Sequence, residues 1–226
     1  MSKEIISKAS LDFLRELENN NNRDWFAEHK ERFKSHEAAV KCFYNAVMEN
    51  LNTHDKIDKL KIFRIYRDVR FSKDKTPYKA HFASSFSRLG LDRRGGYYLR
   101  IKPGETFLAG GFWNPNKEDL LRIRKELELD ALEFRNVINA PAFKKVWGNL
   151  QGDTVKTAPK GFDKAHSAID LIRHKQYIFT RNFTDKEVLS KHFLDEVASS
   201  FKAIRPYFDL MSSILTTNLN GESLIN

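Results

Sequence analysis

Three segments between residues 81 and 113 alternate apolar side chains with small or polar ones, a pattern with a period of two. The segments are His81 to Ser87, Tyr97 to Lys102 and Thr106 to Trp113. Two turn signals separate them, Arg94-Gly95-Gly96 and Pro103-Gly104. Because short turns join antiparallel neighbours, this part of the chain predicts an antiparallel meander. Tyr177 to Phe183 is a candidate for a further strand.

The N-terminal part carries apolar residues at helical spacing. Ser10 is a candidate N-cap of a short helix, and Asn22 or Asp24 of a longer helix that reaches about Leu51. The apolar face of the longer helix contains Phe26, Phe33, Val40, Val47 and Leu51.

The C-terminal part is also predicted to be helical. Thr184 followed by Glu187 forms a capping box, which is a helix-start signal, and apolar residues then recur at spacings of three and four as far as Leu215. Pro206 is expected to bend or divide this helix. Strands in the middle and helices at both ends predict the α+β class, with a central antiparallel sheet of about four to five strands packed by the N-terminal and C-terminal helices.

The composition fits a single domain that covers residues 1–226. Of the 226 residues, 41% are hydrophobic and 18 are Phe, so the chain can bury a substantial core. No linker rich in Ser, Gly or Pro divides it, and no internal repeat is present. The formal net charge of +9 favours acidic partners, among them phosphorylated ligands and nucleic acid.

The sequence also carries information on the compartment. One cysteine, Cys42, excludes an internal disulfide and fits a reducing environment. The first residues lack a secretory pattern, and no apolar run approaches the roughly 20 residues that span a bilayer. We therefore expect a cytoplasmic protein without a membrane partner. The sequence does not predict an oligomeric state.

Positive charge is concentrated between Lys61 and Lys79. Seven basic residues stand against two acidic ones, Asp68 and Asp74, a local excess of five. The basic residues are Lys61, Arg64, Arg67, Arg70, Lys73, Lys75 and Lys79. Apolar and aromatic residues are interleaved with them and favour β structure, while Ser72 to Pro77 has the composition of a loop.

A regular strand through this stretch would place Arg67 on an apolar face. That face would contain Phe63, Ile65, Val69 and Phe71, and the opposite face Arg64, Tyr66, Asp68 and Arg70. An arginine inside an apolar face needs a partner, because an unpaired buried charge is costly. A bulge near Arg67 would return its side chain to the polar face, so both registers stay open.

The residues from Arg64 to Tyr78 match a specific signature. The pattern is R-x-x-R-D-x-R-F-x-x-x-[D/N]-K-x-x-Y, and the chain agrees with it at each fixed position. In this the chain resembles DUF2461, an uncharacterised bacterial family of about this length. Asn21-Asn22-x-x-Trp25-Phe26 and Phe179-Thr180-Arg181 extend the resemblance over nearly the whole chain. The resemblance implies family membership and no particular activity.

The signature residues are also the candidate binding site. Guanidinium and ammonium groups bind phosphate and carboxylate oxygens through charge-assisted hydrogen bonds, so the sequence predicts a small anionic ligand. The candidate ligand-binding residues are Arg64, Arg67, Asp68, Arg70, Asp74, Lys75 and Tyr78. In this prediction Arg64, Arg70 and Lys75 share one pocket. No catalytic residue is identified, so the sequence does not decide whether the protein is an enzyme.

Two alternatives stay open. Cations interleaved with aromatic rings have the composition of a surface that binds single-stranded nucleic acid weakly and without sequence preference, unless the rings are needed in the core. Internal Arg–Asp ion pairs with a purely structural role explain the motif as well. Neither a metal nor a cofactor is predicted, because the seven histidines show no metal-binding spacing and no phosphate-binding loop occurs.

Overall fold

The structure is a computed structural model that describes residues 4–225. Residues 1–3, on which the expectation of no secretory signal partly rests, lie outside this range. The helices are α1 (Lys8–Asn19), α2 (Arg23–Glu28), α3 (Lys30–Leu51), α4 (Lys117–Leu129), α5 (Leu132–Asn139), α6 (Pro141–Trp147), α7 (Ile169–Ile172), α8 (Asp185–Val188), α9 (Phe193–Ala203) and α10 (Arg205–Thr216). The strands are β1 (Ile57–Ile62), β2 (Phe82–Arg88), β3 (Gly96–Ile101), β4 (Thr106–Phe112) and β5 (Tyr177–Phe183).

The five strands form one antiparallel sheet in the order β1-β2-β3-β4-β5. This confirms the predicted α+β class and the predicted meander of β2, β3 and β4. The turn between β3 and β4 forms at Pro103-Gly104, where the Glu105 N–H donates to the Lys102 carbonyl oxygen at 3.0 Å. Sequential order places β1 at one edge of the sheet, directly before the signature residues.

The strand predicted through the basic stretch is wrong beyond Ile62. The Phe63 N–H still pairs with the Ala83 carbonyl oxygen, but residues 67–77 form an irregular loop, here called the signature loop. Two aspartates turn the backbone of this loop, because the carboxylate of each accepts the backbone N–H two residues further on: Asp68 from Arg70 and Asp74 from Thr76. Strand alternation therefore ends, and the ring of Phe71 is 96% exposed instead of lying in the core.

Contacts along the chain divide it into two compact units. The first contains the residues up to 86 together with 98–108 and 182–199. In it α1 and α2 pack on α3, and α3 packs on β1. Its core is aromatic: Phe43 stacks on Phe193 with ring centroids 5.4 Å apart, and Phe183 meets Phe193 edge to face. That the chain is a single domain stays a prediction.

The helix caps in the first unit differ partly from those predicted. Ser7, and not Ser10, caps α1, because its side chain accepts the Ser10 N–H. Ser10 is buried, and its hydroxyl lies 3.2 Å from His36 Nδ1. Asn22 caps α2 as predicted, but this helix ends at Glu28, so the long helix is divided in two.

The second unit contains residues 87–97, 109–181 and those from 200 onwards. In it α10 packs on α4 and α5, and the buried Tyr207 donates from its hydroxyl to the Tyr177 carbonyl oxygen at 2.8 Å. Gly111 on β4 has a φ of +134°, and a Cβ there would lie 2.2 Å from the same carbonyl oxygen. Only glycine fits this close approach of β4 to β5.

Two C-terminal predictions are confirmed. Thr184 and Glu187 form the capping box at the start of α8. Pro206 lies in the first turn of α10 and separates that helix from α9. Among the helices of residues 4–225, none has the length and apolar character needed to cross a membrane.

Candidate functional site

Tyr78 closes the neck of the signature loop. It pairs with Tyr66 as an antiparallel bridge, and the Lys79 N–H donates to the Ile65 carbonyl oxygen at 2.7 Å. The Tyr78 side chain is buried and stacks on Phe26, with ring centroids 4.0 Å apart and planes 20° apart. The neck is therefore anchored to α2, whose residues include Phe26.

Asn21 holds the free backbone edge of Tyr78. Its Oδ1 accepts the Tyr78 N–H at 3.0 Å, and its Nδ2 donates to the Tyr78 carbonyl oxygen at 2.9 Å. The next residue, Asn22, caps α2 by accepting the Trp25 N–H at 2.9 Å. The asparagine run between α1 and α2 thus fixes both the start of a helix and the neck of the loop.

Inside the loop, Asp74 organises its neighbours. Its Oδ1 accepts from the Thr76 N–H at 2.9 Å and from the Thr76 hydroxyl at 2.8 Å. Its Oδ2 lies 2.5 Å from Nη1 of Arg67, which also donates to Thr76 Oγ1 at 3.0 Å. The two bonds from Thr76 lower the pKa of Asp74, and the charge of Arg67 adds to this effect. Arg67 is therefore paired and only 32% exposed at its side chain.

The three cations predicted to share a pocket have different partners. Arg70 donates to both oxygens of Asp68, from Nε at 2.9 Å and from Nη2 at 2.6 Å, and these bonds lower the pKa of Asp68. Lys75 donates to the Val69 carbonyl oxygen at 2.9 Å. Arg70, Lys75 and Arg64 do not line the cleft described next.

A cleft of about 540 Å³ lies beside the loop neck, and all its lining residues belong to the first unit. Four predicted site residues line it: Arg67, Asp68, Asp74 and Tyr78. The remaining lining residues are Glu18, Asn21, Thr76, Lys79, Ala80, His81 and Lys102. The cleft thus joins the signature loop to the end of α1, the residues before β2 and the residue after β3.

His81 experiences a positive field in this cleft. The pKa of His81 is lowered to about 4, mainly by burial and in addition by the nearby charges of Arg100, Lys79, Lys102 and Arg67. No hydrogen bond to the imidazole comes from the part of the chain that the structure describes. His81 is therefore neutral at pH 7, with one ring N–H that can donate to a ligand.

Lys79 lines the cleft as well, and its positive charge has no carboxylate partner among residues 4–225. Its Nζ donates to the Arg64 carbonyl oxygen at 3.1 Å, and no carboxylate of residues 4–225 lies within ion-pair distance of it. Partial burial lowers the pKa of Lys79, and the charges of Arg64 and Arg67 do so as well. The ammonium group would gain from an anion supplied by a ligand.

Lys102 is held in place by two acids. Its Nζ lies 3.1 Å from Glu18 Oε1 and 2.6 Å from Glu105 Oε1. The hydrogen bond that Lys102 donates to Glu105 is the main reason why the pKa of Lys102 is raised. Lys102 therefore stays charged and contributes to the field at His81.

The arrangement can bind an anion between fixed cations and a neutral imidazole donor. Sequence reasoning did not assign Lys79, His81 and Lys102 to the site. Lys79 belonged to the basic excess, and His81 follows the signature by three residues, so proximity in the chain was the available signal for both. The sequence carried no comparable signal for Lys102, because the pairing of strands in the sheet, and not closeness in the chain, brings this residue to the cleft.

No group of three or more His, Cys, Asp or Glu side chains suited to a metal ion occurs within the described range, residues 4–225. In the comparison with known families, the family model described as "Conserved hypothetical protein (DUF2461)" matches residues 9–210. No curated protein matches the chain, and no solved structure matches it.

Proposed function

The chain belongs to the DUF2461 family, and from this premise we propose that its cleft binds a small anionic ligand that carries a phosphate or carboxylate group. The observation that carries the proposal is the environment of His81. Four cations act on this imidazole, and together with burial they hold its pKa near 4. Within residues 4–225, Arg67 and Lys102 are paired with acids and Lys79 is not, so a bound anion would supply the compensation that Lys79 lacks.

The cleft lining contains three acids and three cations, but within residues 4–225 the acids do not give every cation a carboxylate partner. Asp74 is bonded to Arg67 and Thr76, Asp68 to Arg70, and Glu18 to Lys102. Each of these acids serves a cation that is already in place, so Lys79 is left with a carbonyl oxygen as its partner. We expect the anion to sit between Lys79 and the N–H of His81, with Arg67 and Lys102 contributing longer-range attraction.

The size and the walls of the cleft suit a small molecule. Its volume of about 540 Å³ is within the range of small-ligand sites, about 300–1,000 Å³. Tyr78 and Ala80 add apolar surface to a lining that is otherwise polar. A ligand with one anionic group and a small apolar part would use both kinds of surface.

Calorimetric titration of the intact chain with inorganic phosphate, sulfate and oxalate tests this proposal. We expect at least one of these anions to bind, and Lys79→Met to weaken it by about 10- to 100-fold, since a charge-assisted hydrogen bond contributes about 1.5–3 kcal/mol. Lys59→Met is the matched control, because Lys59 is an exposed lysine of β1 that does not line the cleft.

The proposal fails if none of the three anions binds the wild-type chain, or if Lys79→Met and Lys59→Met bind equally well. Either result would favour the purely structural interpretation of the signature, in which Arg67–Asp74 and Arg70–Asp68 hold the loop together.

A further inference from the structure

The ring of Phe71 stands in solvent at the signature loop. It is 96% exposed, and within residues 4–225 it stacks on no other aromatic ring. The other signature ring near the loop, Tyr66, is 46% exposed, whereas Tyr78 is buried at the neck. Phe71 therefore contributes little to the core of the first unit, and its place in the signature needs another explanation.

Three exposed cations lie close to this ring in the chain. Arg64, Lys73 and Lys75 are exposed, and their charged groups have no carboxylate partner among residues 4–225. Both acids of the loop are already occupied, Asp68 by Arg70 and Asp74 by Arg67. The signature loop thus presents one exposed aromatic ring, and three exposed cations that no carboxylate of residues 4–225 neutralises lie within seven residues of it in the chain; Lys75 also donates to a backbone carbonyl oxygen.

We propose that the signature loop binds single-stranded nucleic acid, with Phe71 stacked on a base and Arg64, Lys73 and Lys75 near phosphates. Bases stack on exposed aromatic rings whatever their sequence, and cations beside the rings follow the backbone. In a duplex the base faces are covered, so a single strand is the fitting partner. This inference goes beyond the anion-binding cleft, because Phe71 and the three cations lie outside the cleft lining.

An anionic membrane surface is the other partner that such a loop suggests, but the composition of the loop disfavours it. Binding to a bilayer increases with the apolar area that is buried, and Phe71 is the one exposed apolar side chain among residues 67–77. Stacking requires only the faces of that ring. The neck bonds of Tyr78 to Asn21 also hold the loop in place before binding, which reduces the ordering cost.

Fluorescence anisotropy with a labelled oligothymidine of about 16 nucleotides tests the proposal. We expect the wild-type chain to bind, and Phe71→Ala to bind at least about fivefold more weakly, while Phe71→Trp retains binding. Trp113→Ala is the matched control, because Trp113 is also an exposed ring (68%) but lies outside the loop. Lys73→Ala should weaken binding and Lys160→Ala, on an exposed loop elsewhere, should not.

Salt dependence gives a second measurement. Three phosphate contacts on a single strand predict that the logarithm of the binding constant falls with the logarithm of salt concentration with a slope of about −2, and Lys73→Ala should make this slope shallower. His81→Gln, which alters the cleft without removing a charge, should leave oligonucleotide binding nearly unchanged. Failure of this proposal and failure of the anion-binding proposal are therefore distinguishable.

Three results would overturn the proposal. The first is no binding of the oligonucleotide, and the second is equal binding by wild type and Phe71→Ala. The third is Phe71-dependent binding to vesicles of phosphatidylserine and phosphatidylcholine under conditions in which the oligonucleotide does not bind, which would assign the loop to a membrane surface instead.

Discussion

The side chain of Asn21 pairs with the backbone of Tyr78 as a neighbouring strand would. Its amide oxygen accepts the Tyr78 N–H at 3.0 Å, and its amide nitrogen donates to the Tyr78 carbonyl oxygen at 2.9 Å. The two residues are 57 positions apart in the chain. This pair connects the α1–α2 junction to the neck of the signature loop and sets the position of the cleft wall that Tyr78 forms.

Asn21→Ala should therefore lower both stability and anion affinity. Each hydrogen bond contributes about 0.5–1.5 kcal/mol net, so the loss of two predicts a fall in the free energy of unfolding of about 1–3 kcal/mol. Asn20→Ala is the control, because the Asn20 side chain makes one exposed bond, to the Glu16 carbonyl oxygen. Urea denaturation of both variants measures the difference, and equal small losses would contradict the role given to Asn21.

The signature arginines are not equivalent in the structure. Arg67 is two-thirds covered and bonded to Asp74 and Thr76, whereas Arg64 is exposed and has no carboxylate partner among residues 4–225. Arg67→Ala should lower the melting temperature, while Arg64→Ala should leave it nearly unchanged. Thermal melts monitored by circular dichroism decide the matter, and equal shifts for the two variants would show that the Asp74 cluster does not stabilise the loop.

The central meander was predictable because its signals are local. Alternation in β3 and β4 and the Pro103-Gly104 turn lie within a few residues of one another, and so do the capping box of α8 and the break at Pro206. The signature loop gave a misleading signal. Its residues alternate like a strand, but the conformation depends on bonds from Asp74 to Thr76 and from Asn21 to Tyr78, which periodicity does not report.

The part of the candidate site that belongs to the signature was predictable from the sequence. Arg67, Asp68, Asp74 and Tyr78 line the cleft and belong to one contiguous signature. The pocket predicted for Arg64, Arg70 and Lys75 assumed a regular strand. In the structure Arg70 donates to Asp68, Lys75 donates to a backbone carbonyl oxygen, and Arg64 is exposed to solvent. Lys102 reaches the cleft from the end of β3 because strands distant in sequence pair in the sheet.

Gly111 is expected to be among the least replaceable positions of the second unit. Gly111→Ala places a Cβ 2.2 Å from the Tyr177 carbonyl oxygen at a φ of +134°. Gly161→Ala is the control, because Gly161 also has a positive φ, +87°, but nothing within 4 Å of the added atom. Strained backbone alone costs about 1–3 kcal/mol. Chemical denaturation should therefore show a larger loss for Gly111→Ala, and equal losses would mean that β4 shifts to accommodate the methyl group.

The low pKa of His81 predicts how stability depends on pH. The folded chain holds this pKa at about 4, below the ordinary value of 6.5, so between these values the unfolded chain binds more protons. The stabilisation associated with neutral His81 is complete above about pH 6.5 and is lost as the pH falls towards 4. Burial also lowers the pKa of His36 and that of His174, but both residues remain in a His81→Gln variant.

The difference in the free energy of unfolding between wild type and His81→Gln isolates this contribution. We expect the wild type to lose more stability than the variant between about pH 6.5 and pH 4, measured by urea denaturation at several pH values. Parallel curves for the two proteins over this range would contradict the pKa assigned to His81.

An NMR titration of the His81 imidazole with and without sulfate tests the central claim, that the cleft accepts an anion, most directly. Sulfate keeps its charge throughout the titration, sodium chloride of equal ionic strength is the control, and His81→Gln assigns the resonance. The account predicts a pKa near 4 in chloride and an increase of about 1 to 3 in sulfate, because a nearby negative charge favours the imidazolium. A pKa that does not rise in sulfate, phosphate or oxalate, or a pKa near 6.5 in chloride, would contradict it.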